Sequence, residues 1–246
     1  LWAEFEVKDV IQRLRWIEPG EFLMGSPDDE PERFEDEGPQ HKVRISEGFW
    51  LADTACTQAL WQALMGENPS YFEGDEQLPV EQVSFDDVGR FLKRLQELLP
   101  EHTAAELPSE AQWEYACRAG TDAPFSFGAN ITPELVNYNG LPYAGGEHGP
   151  YRERTVPVKH LPANAWGLYQ MHGNVLEWCR DDLRDYTSAA AGQAELDPLG
   201  DLDSPVRALR GGAWFSVAGF ARCACRDRGG RGSRDHRVGV RLSLRS

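Results

Sequence analysis

Gly167-Leu168-Tyr169-Gln170-Met171-His172-Gly173-Asn174-Val175-Leu176-Glu177-Trp178 decides how the rest of this chain is read. Its two ends are strand-like, Gly167-Leu168-Tyr169 and Glu177-Trp178-Cys179, and its centre holds the turn formers Gly173 and Asn174. Upstream, Phe22-Leu23-Met24-Gly25 ends a short strand, and His41 to Ile45 alternates as a second one until Gly48 breaks it. The spacing of Leu60, Trp61, Leu64 and Met65 predicts a helix over Thr57 to Met65, stopped by Gly66. A second helix starts from Ser84 as N-cap, with acids in its first turn and Val88, Phe91, Leu92, Leu95 and Leu98-Leu99 as its buried stripe; Pro100 stops it. Ser109, with Gln112 at capping-box distance, opens a third, short helix that turns Trp113, Ala116 and Cys117 inward. From Gly120 to Pro162, glycines and prolines alternate with aromatics, a composition for ordered loops. Downstream, strand pieces are expected at Val206 to Leu209 and Val238 to Leu242.

The chain has 246 residues, 41% of them apolar, with 25 Lys+Arg against 40 Asp+Glu. That is ample for a buried core, and a net charge of −15 argues against binding nucleic acid through its phosphates. No apolar run approaches the ~18–20 residues that span a bilayer, and the first residues carry acids where a signal peptide carries bases. No membrane insertion and a cytoplasmic location are therefore expected. Because the chain opens with Leu1, an upstream domain is left open. No linker or repeat divides it, so one domain over residues 1–246 is expected. The charge is uneven. Residues 205–246 hold ten arginines against Asp227 and Asp235, a net of +8, which leaves −23 for the remainder. Docking of this tail on the chain's own acidic side chains follows. The five cysteines (56, 117, 179, 223 and 225) lack a framework spacing and read as free thiols, with Cys223 and Cys225 as small side chains on one face of an extended segment.

Six motifs in order carry a resemblance: Phe22 to Gly25, Thr57 to Ser70, Leu78 to Ser84, Leu107 to Ala116, Gly167 to Trp178, and Arg210-Gly211-Gly212-Ala213-Trp214. Together they resemble the formylglycine-generating enzyme (sulfatase-modifying factor) superfamily. The resemblance implies an α+β, C-type lectin-like fold: an antiparallel sheet, a few helices, much irregular structure and bound calcium. It places calcium ligands on Gln170, Gly173, Val175 and Glu177, with Asn137 and the Tyr138 carbonyl at a second site; oxygen donors suit that ion. It also shows where copper is not expected. The oxidases' two thiols fall on Ser216 and Ala221, and Cys223 and Cys225 come two and four residues too late. The three-histidine iron site of the related sulfoxide synthases is not expected either, because His41, His102, His148, His160, His172 and His236 contain no His-x₃-His pair. His172 reads as a satisfied structural side chain.

From Trp214 onward the chain resembles the variable segment of retroelement-diversified proteins, closing on Val238-Gly239-Val240-Arg241-Leu242. Ala218, Arg222, Ala224, Arg226, Arg228 and Arg234 would be its fixed scaffold. Between them stand unrelated side chains: Phe215, Ser216, Val217, Phe220, Cys223, Cys225, Asp227, Gly229, Gly230, Ser233, Asp235 and His236. The expectation is a non-catalytic, receptor-like domain whose segment 210–242 binds a protein or other macromolecule, chiefly through residues 215–237. The alternative is an oxygen-dependent oxidase or maturation enzyme.

Overall fold

The computed structural model describes residues 1–186 and 193–245. Among them, strands run in the order β1 (Trp2–Val7), β2 (Val10–Ile17), β3 (Gly20–Met24), β4 (His41–Ile45), β5 (Phe49–Ala52), β6 (Ala104–Glu106), β7 (Leu176–Trp178), β8 (Glu195–Leu196), β9 (Val206–Arg210), β10 (Arg226–Gly230), β11 (Val238–Gly239) and β12 (Ser243–Arg245). The helices are α1 (Gln58–Met65), α2 (Phe85–Gln96) and α3 (Glu110–Arg118). The fold is C-type lectin-like, mostly curled antiparallel sheet with long irregular connections. Two short pairings, β7 with β11 and β4 with β8, are parallel.

The hairpin β1–β2 turns through Lys8 and Asp9, both at positive φ, as a two-residue hairpin requires. It leads a five-stranded sheet in the order β1-β2-β5-β12-β6. Helix α1 begins at its expected cap, where Leu60 N–H donates to Thr57 Oγ1, and ends at Gly66 in the left-handed region. Helix α2 carries the expected capping box, but it ends at Gln96 and leaves Leu98 59% exposed, so the buried stripe stops at Leu95. Trp61 of α1 stacks on Phe91 of α2 with ring centroids 4.9 Å apart. Gly167-Leu168-Tyr169 is not a strand; it contributes one isolated bridge, between Ala163 and Tyr169.

A second sheet, in the order β10-β9-β7-β11, carries the tail. Strand β9 ends at Gly211 and Gly212, whose φ of 100° and 71° turn the chain back. A Cβ on Gly211 would meet Trp113 at 3.0 Å, so glycine is needed there for close approach as well as for φ. The chain then passes through a 3-10 turn (Ala218–Ala221) and returns as β10, which pairs Arg226 with Arg210. Cys223 and Cys225 lie on the turn between these two elements and not on an extended segment, so their side chains diverge.

Candidate ligand-binding site

Buried ion pairs fix the tail before any of its side chains faces solvent. Arg222, with no exposed surface, donates from Nη1 to Glu30 Oε1 (2.7 Å) and Glu37 Oε2 (2.6 Å), and from Nη2 to Glu37 Oε1 (2.5 Å). Arg226 grips Glu110 in fork geometry, 2.7 Å on each arm, and lies 4.0 Å over the Tyr186 ring. Arg210 reaches Glu114 and the Cys225 carbonyl. Arg234 makes a two-armed pair with Asp87, at 2.6 and 2.8 Å, from an exposed position. The tail's basic charge thus docks on acids of the remainder, as its composition implied. Arg228 departs from the expected scaffold: it is exposed and lines a pocket.

That pocket has a volume of about 620 Å³, within the range of small-molecule and side-chain clefts. Leu176, Trp178, Leu209 and Val238 form its apolar side, and Gly229 lies flat against the Trp178 ring. The rest comes from the tail. Phe215, Ser216, Val217, Phe220, Cys225, Asp227, Gly229, Gly230, Ser233 and Asp235 all line it, ten of the twelve interleaved residues of the tail. Phe215 and Phe220 are 37% and 42% exposed. Ser216 is mostly buried, and its Oγ accepts the Ala213 N–H.

The two others go elsewhere. Cys223 is fully buried and turns away from the pocket towards Cys117 and His172. His236 packs against Trp214, Tyr71 and Phe72, with centroids 5.7, 5.5 and 6.2 Å away, in an aromatic cluster that Tyr151 extends by stacking on Trp214. No alternation of side chains separates Cys223 from Cys225, because the turn that holds Cys223 has no fixed period. Arg226, Arg228 and Arg237 also line the pocket, which the sequence pattern did not foresee. Arg237 pairs with Asp235 and lies 4.8 Å over the Phe215 ring, which holds that ring at the mouth. The Asp235-His236-Arg237 succession was the available signal.

Thiol chemistry is not poised here. Burial pushes Cys225 up to about 12, so its sulfur stays protonated and weakly nucleophilic at neutral pH. Family resemblance puts the oxidases' copper thiols at Ser216 and Ala221, neither of which is a thiol.

The residues expected to hold calcium lie together in one loop, but the side-chain oxygens of two of them, Glu177 and Gln170, are already engaged. Both oxygens of Glu177 accept from Arg241, at 2.8 to 3.1 Å, and Oε2 also accepts the Trp113 indole N–H at 2.7 Å. Gln170 Oε1 accepts from Asn174 Nδ2 at 2.5 Å, and Asn174 Oδ1 accepts from Asn137 Nδ2. Gly173 and Val175 could offer only their backbone carbonyls; the Gly173 N–H reaches the Gly211 carbonyl and the Val175 side chain is buried. Asn137 Oδ1 remains the buried acceptor without a partner. The set does not fit a calcium ion through Glu177, because a guanidinium stands where the cation's charge would act.

Beside the aromatic cluster, Glu81 is fully buried; its Oε1 accepts the Phe72 N–H at 2.8 Å and its Oε2 has no partner. Burial raises its pKa to about 7, with Asp235 adding to the rise. The folded state therefore holds the proton more tightly than the unfolded chain. Stability is full below about pH 4.5, falls as pH rises towards 7 by up to about 3 kcal/mol, and levels beyond. Denaturant unfolding across pH 4.5 to 8 checks this: Glu81→Gln flattens the profile, and an unchanged slope in that variant rejects the assignment.

Residues 3–245 match the family described as Sulfatase-modifying factor enzyme 1-like domain. The chain belongs to that family. Among curated relatives, the serine/threonine-protein kinase pkn1 of Chlamydia caviae is 35% identical over 138 residues, 56% of this chain and 20% of its own length. The formylglycine-generating enzyme of Thermomonospora curvata is 30% identical over 175 residues, 68% of this chain and 53% of its length. The chain thus spans a fifth of the kinase and about half of the enzyme. Among solved structures, Treponema denticola variable protein 1 superposes with a TM-score of 0.81 at 25% identity, covering 100% of this chain and 99% of that one. PvdO from Pseudomonas aeruginosa gives 0.80 at 25% identity, over 99% and 98%. This sulfatase-modifying-factor-type domain therefore has neighbours of its own size across its full length. No helix among its described residues is long and apolar enough to cross a membrane.

Proposed function

We propose that this domain is a non-catalytic, receptor-like binder that takes a protein or other macromolecular ligand into the pocket built by residues 215–237. One observation carries the reading: the same tail residues divide into two sets by environment. Arg222 and Arg226 are held by buried carboxylates, Arg226 at the pocket wall, and Phe215, Phe220, Asp227 and Ser233 line the open pocket and pair with no such carboxylate. Scaffold and recognition are then separable, so the pocket's side chains are free to change while the backbone stays. Likeness to a protein called variable over its whole length supports this, and retroelement diversification of the tail is the form we infer. The oxidase alternative has no thiol at Ser216 or Ala221 to carry copper chemistry.

The test has a population arm and a binding arm. Among sister sequences, substitutions concentrate at 215, 217, 220, 227 and 233 and spare 222 and 226. Binders selected against the purified chain from a displayed protein library lose affinity at least tenfold in Phe215→Ala and Phe220→Ala. These changes shift unfolding by no more than about 0.5 kcal/mol, the usual range for surface positions. Copper-loaded protein given a cysteine-containing sulfatase peptide and oxygen yields no aldehyde. Equal variation at the arginines, or aldehyde formation, rejects the reading.

A further inference from the structure

The sheet, the helices and the tail meet at a buried group that neither the pocket nor the ion pairs use. Cys117 from the end of α3, His172 from the glycine-rich loop and Cys223 from the tail's turn have 0%, 1% and 0% of their surface exposed. One ligand atom from each lies within 4.8 Å of the others. The two sulfurs are 3.7 Å apart, and His172 Nε2 is 3.7 Å from the Cys117 sulfur.

We propose that Cys117, Cys223 and His172 Nε2 form a structural site for a zinc-type soft divalent cation. Two of the three separations match ligand atoms around tetrahedral zinc, and the third lies within 4.8 Å. Bonds of about 2.3 Å to sulfur and about 2.0 Å to nitrogen place ligand atoms roughly 3.5–3.8 Å apart around the ion. A disulfide would need the sulfurs at about 2.05 Å. The imidazole is already set for the role. Its Nδ1 lies 2.6 Å from the Ala221 carbonyl, which can only accept, so Nδ1 carries the proton and Nε2 presents the lone pair. A backbone carbonyl behind the non-ligating nitrogen is the usual support of a metal-bound histidine. Nε2 now accepts from the Ser126 N–H at 3.0 Å and lies 2.8 Å from Ser126 Oγ, so loading would exchange these contacts for the ion.

The electrostatics agree. Two thiolates and a divalent cation sum to zero, which removes the cost of burying either charge alone. Such a site would join two cysteines 106 residues apart and fasten the tail's turn to α3. It stands independently of the ligand proposed for the pocket.

The experiment uses the full chain folded under reducing conditions with zinc, then desalted. One zinc per chain by elemental analysis is expected, and cobalt substitution should give the thiolate charge-transfer and visible bands of a tetrahedral site. Cys117→Ser and Cys223→Ser each lower metal content at least tenfold, whereas Cys56→Ser and Cys179→Ser retain it. If the two serine variants fail to fold, the parent decides: chelation must release the zinc and uncover two further titratable thiols. A parent without metal overturns the proposal. So does a cobalt spectrum that survives Cys117→Ser, or a mass two hydrogens short with Cys117 and Cys223 joined.

Discussion

Arg222→Ala lowers the unfolding free energy by about 3–5 kcal/mol, because Glu30 and Glu37 are left charged and buried without their cation. Glu30 already sits above the ordinary carboxylate range through burial, offset by Arg222, so removing the guanidinium drives it further up. Denaturant unfolding of Arg222→Ala beside Phe220→Ala separates anchor from pocket within three residues. Phe220 contacts Phe34 across the pocket rim, with centroids 5.1 Å apart, and both rings are partly exposed. A loss in Phe220→Ala as large as that in Arg222→Ala would show that the ring is core and that the tail presents no recognition face. A triple change, Arg222→Met with Glu30→Gln and Glu37→Gln, should recover part of the loss, since no unpaired charge then remains.

Glu177→Ala is expected to cost a similar ~3–5 kcal/mol, for the mirrored reason. It strands Arg241, which is fully buried and otherwise bonds only the Ala52 and Tyr169 carbonyls, at 2.9 and 2.7 Å. It also frees the Trp113 indole N–H in the core. Thermal melting with and without a calcium chelator distinguishes this from the calcium role that family resemblance implies. The ion-pair account requires the parent to melt at the same temperature in both conditions. A parent destabilised by chelator, with a Glu177→Ala variant indifferent to it, restores calcium to this loop.

The fold was legible where local chemistry decides structure. Thr57, Ser84 and Ser109 cap the helices they were expected to cap, because a side-chain oxygen before an apolar period has few other uses. The tail's attachment was legible from charge alone, ten arginines facing an acidic remainder. What local chemistry did not reveal is which carboxylate each arginine meets: by composition the acidic stretch Asp28 to Glu37 is expected to be a solvated loop, yet the long-range fold buries its Glu30 and Glu37. The same limit applies to Glu177. A carboxylate in a glycine-rich loop has the same sequence appearance whether its counter-charge is a metal or Arg241, 64 residues away. Cys223 and His236 were misplaced because an irregular turn has no periodicity from which to read side-chain direction. Cys117 read as an inward-facing helix residue, and its partners could not be seen until α3, the glycine-rich loop and the tail were brought together.

Strand β12 lies between β5 and β6, and Ser243 bonds the Trp50 carbonyl across 193 residues of sequence. Nascent chains that have reached α3 therefore hold two sheet edges meant for each other's neighbour, with nothing yet made to fill the gap. Contacts this distant are slow to form, and open edges recruit the wrong strand in the interval. Completion of the sheet is thereby tied to the synthesis of a segment that lies beyond the pocket. Variants of the pocket that delay passage of residues 211–237 would thus be selected against by aggregation in the cell even when their finished stability is unchanged.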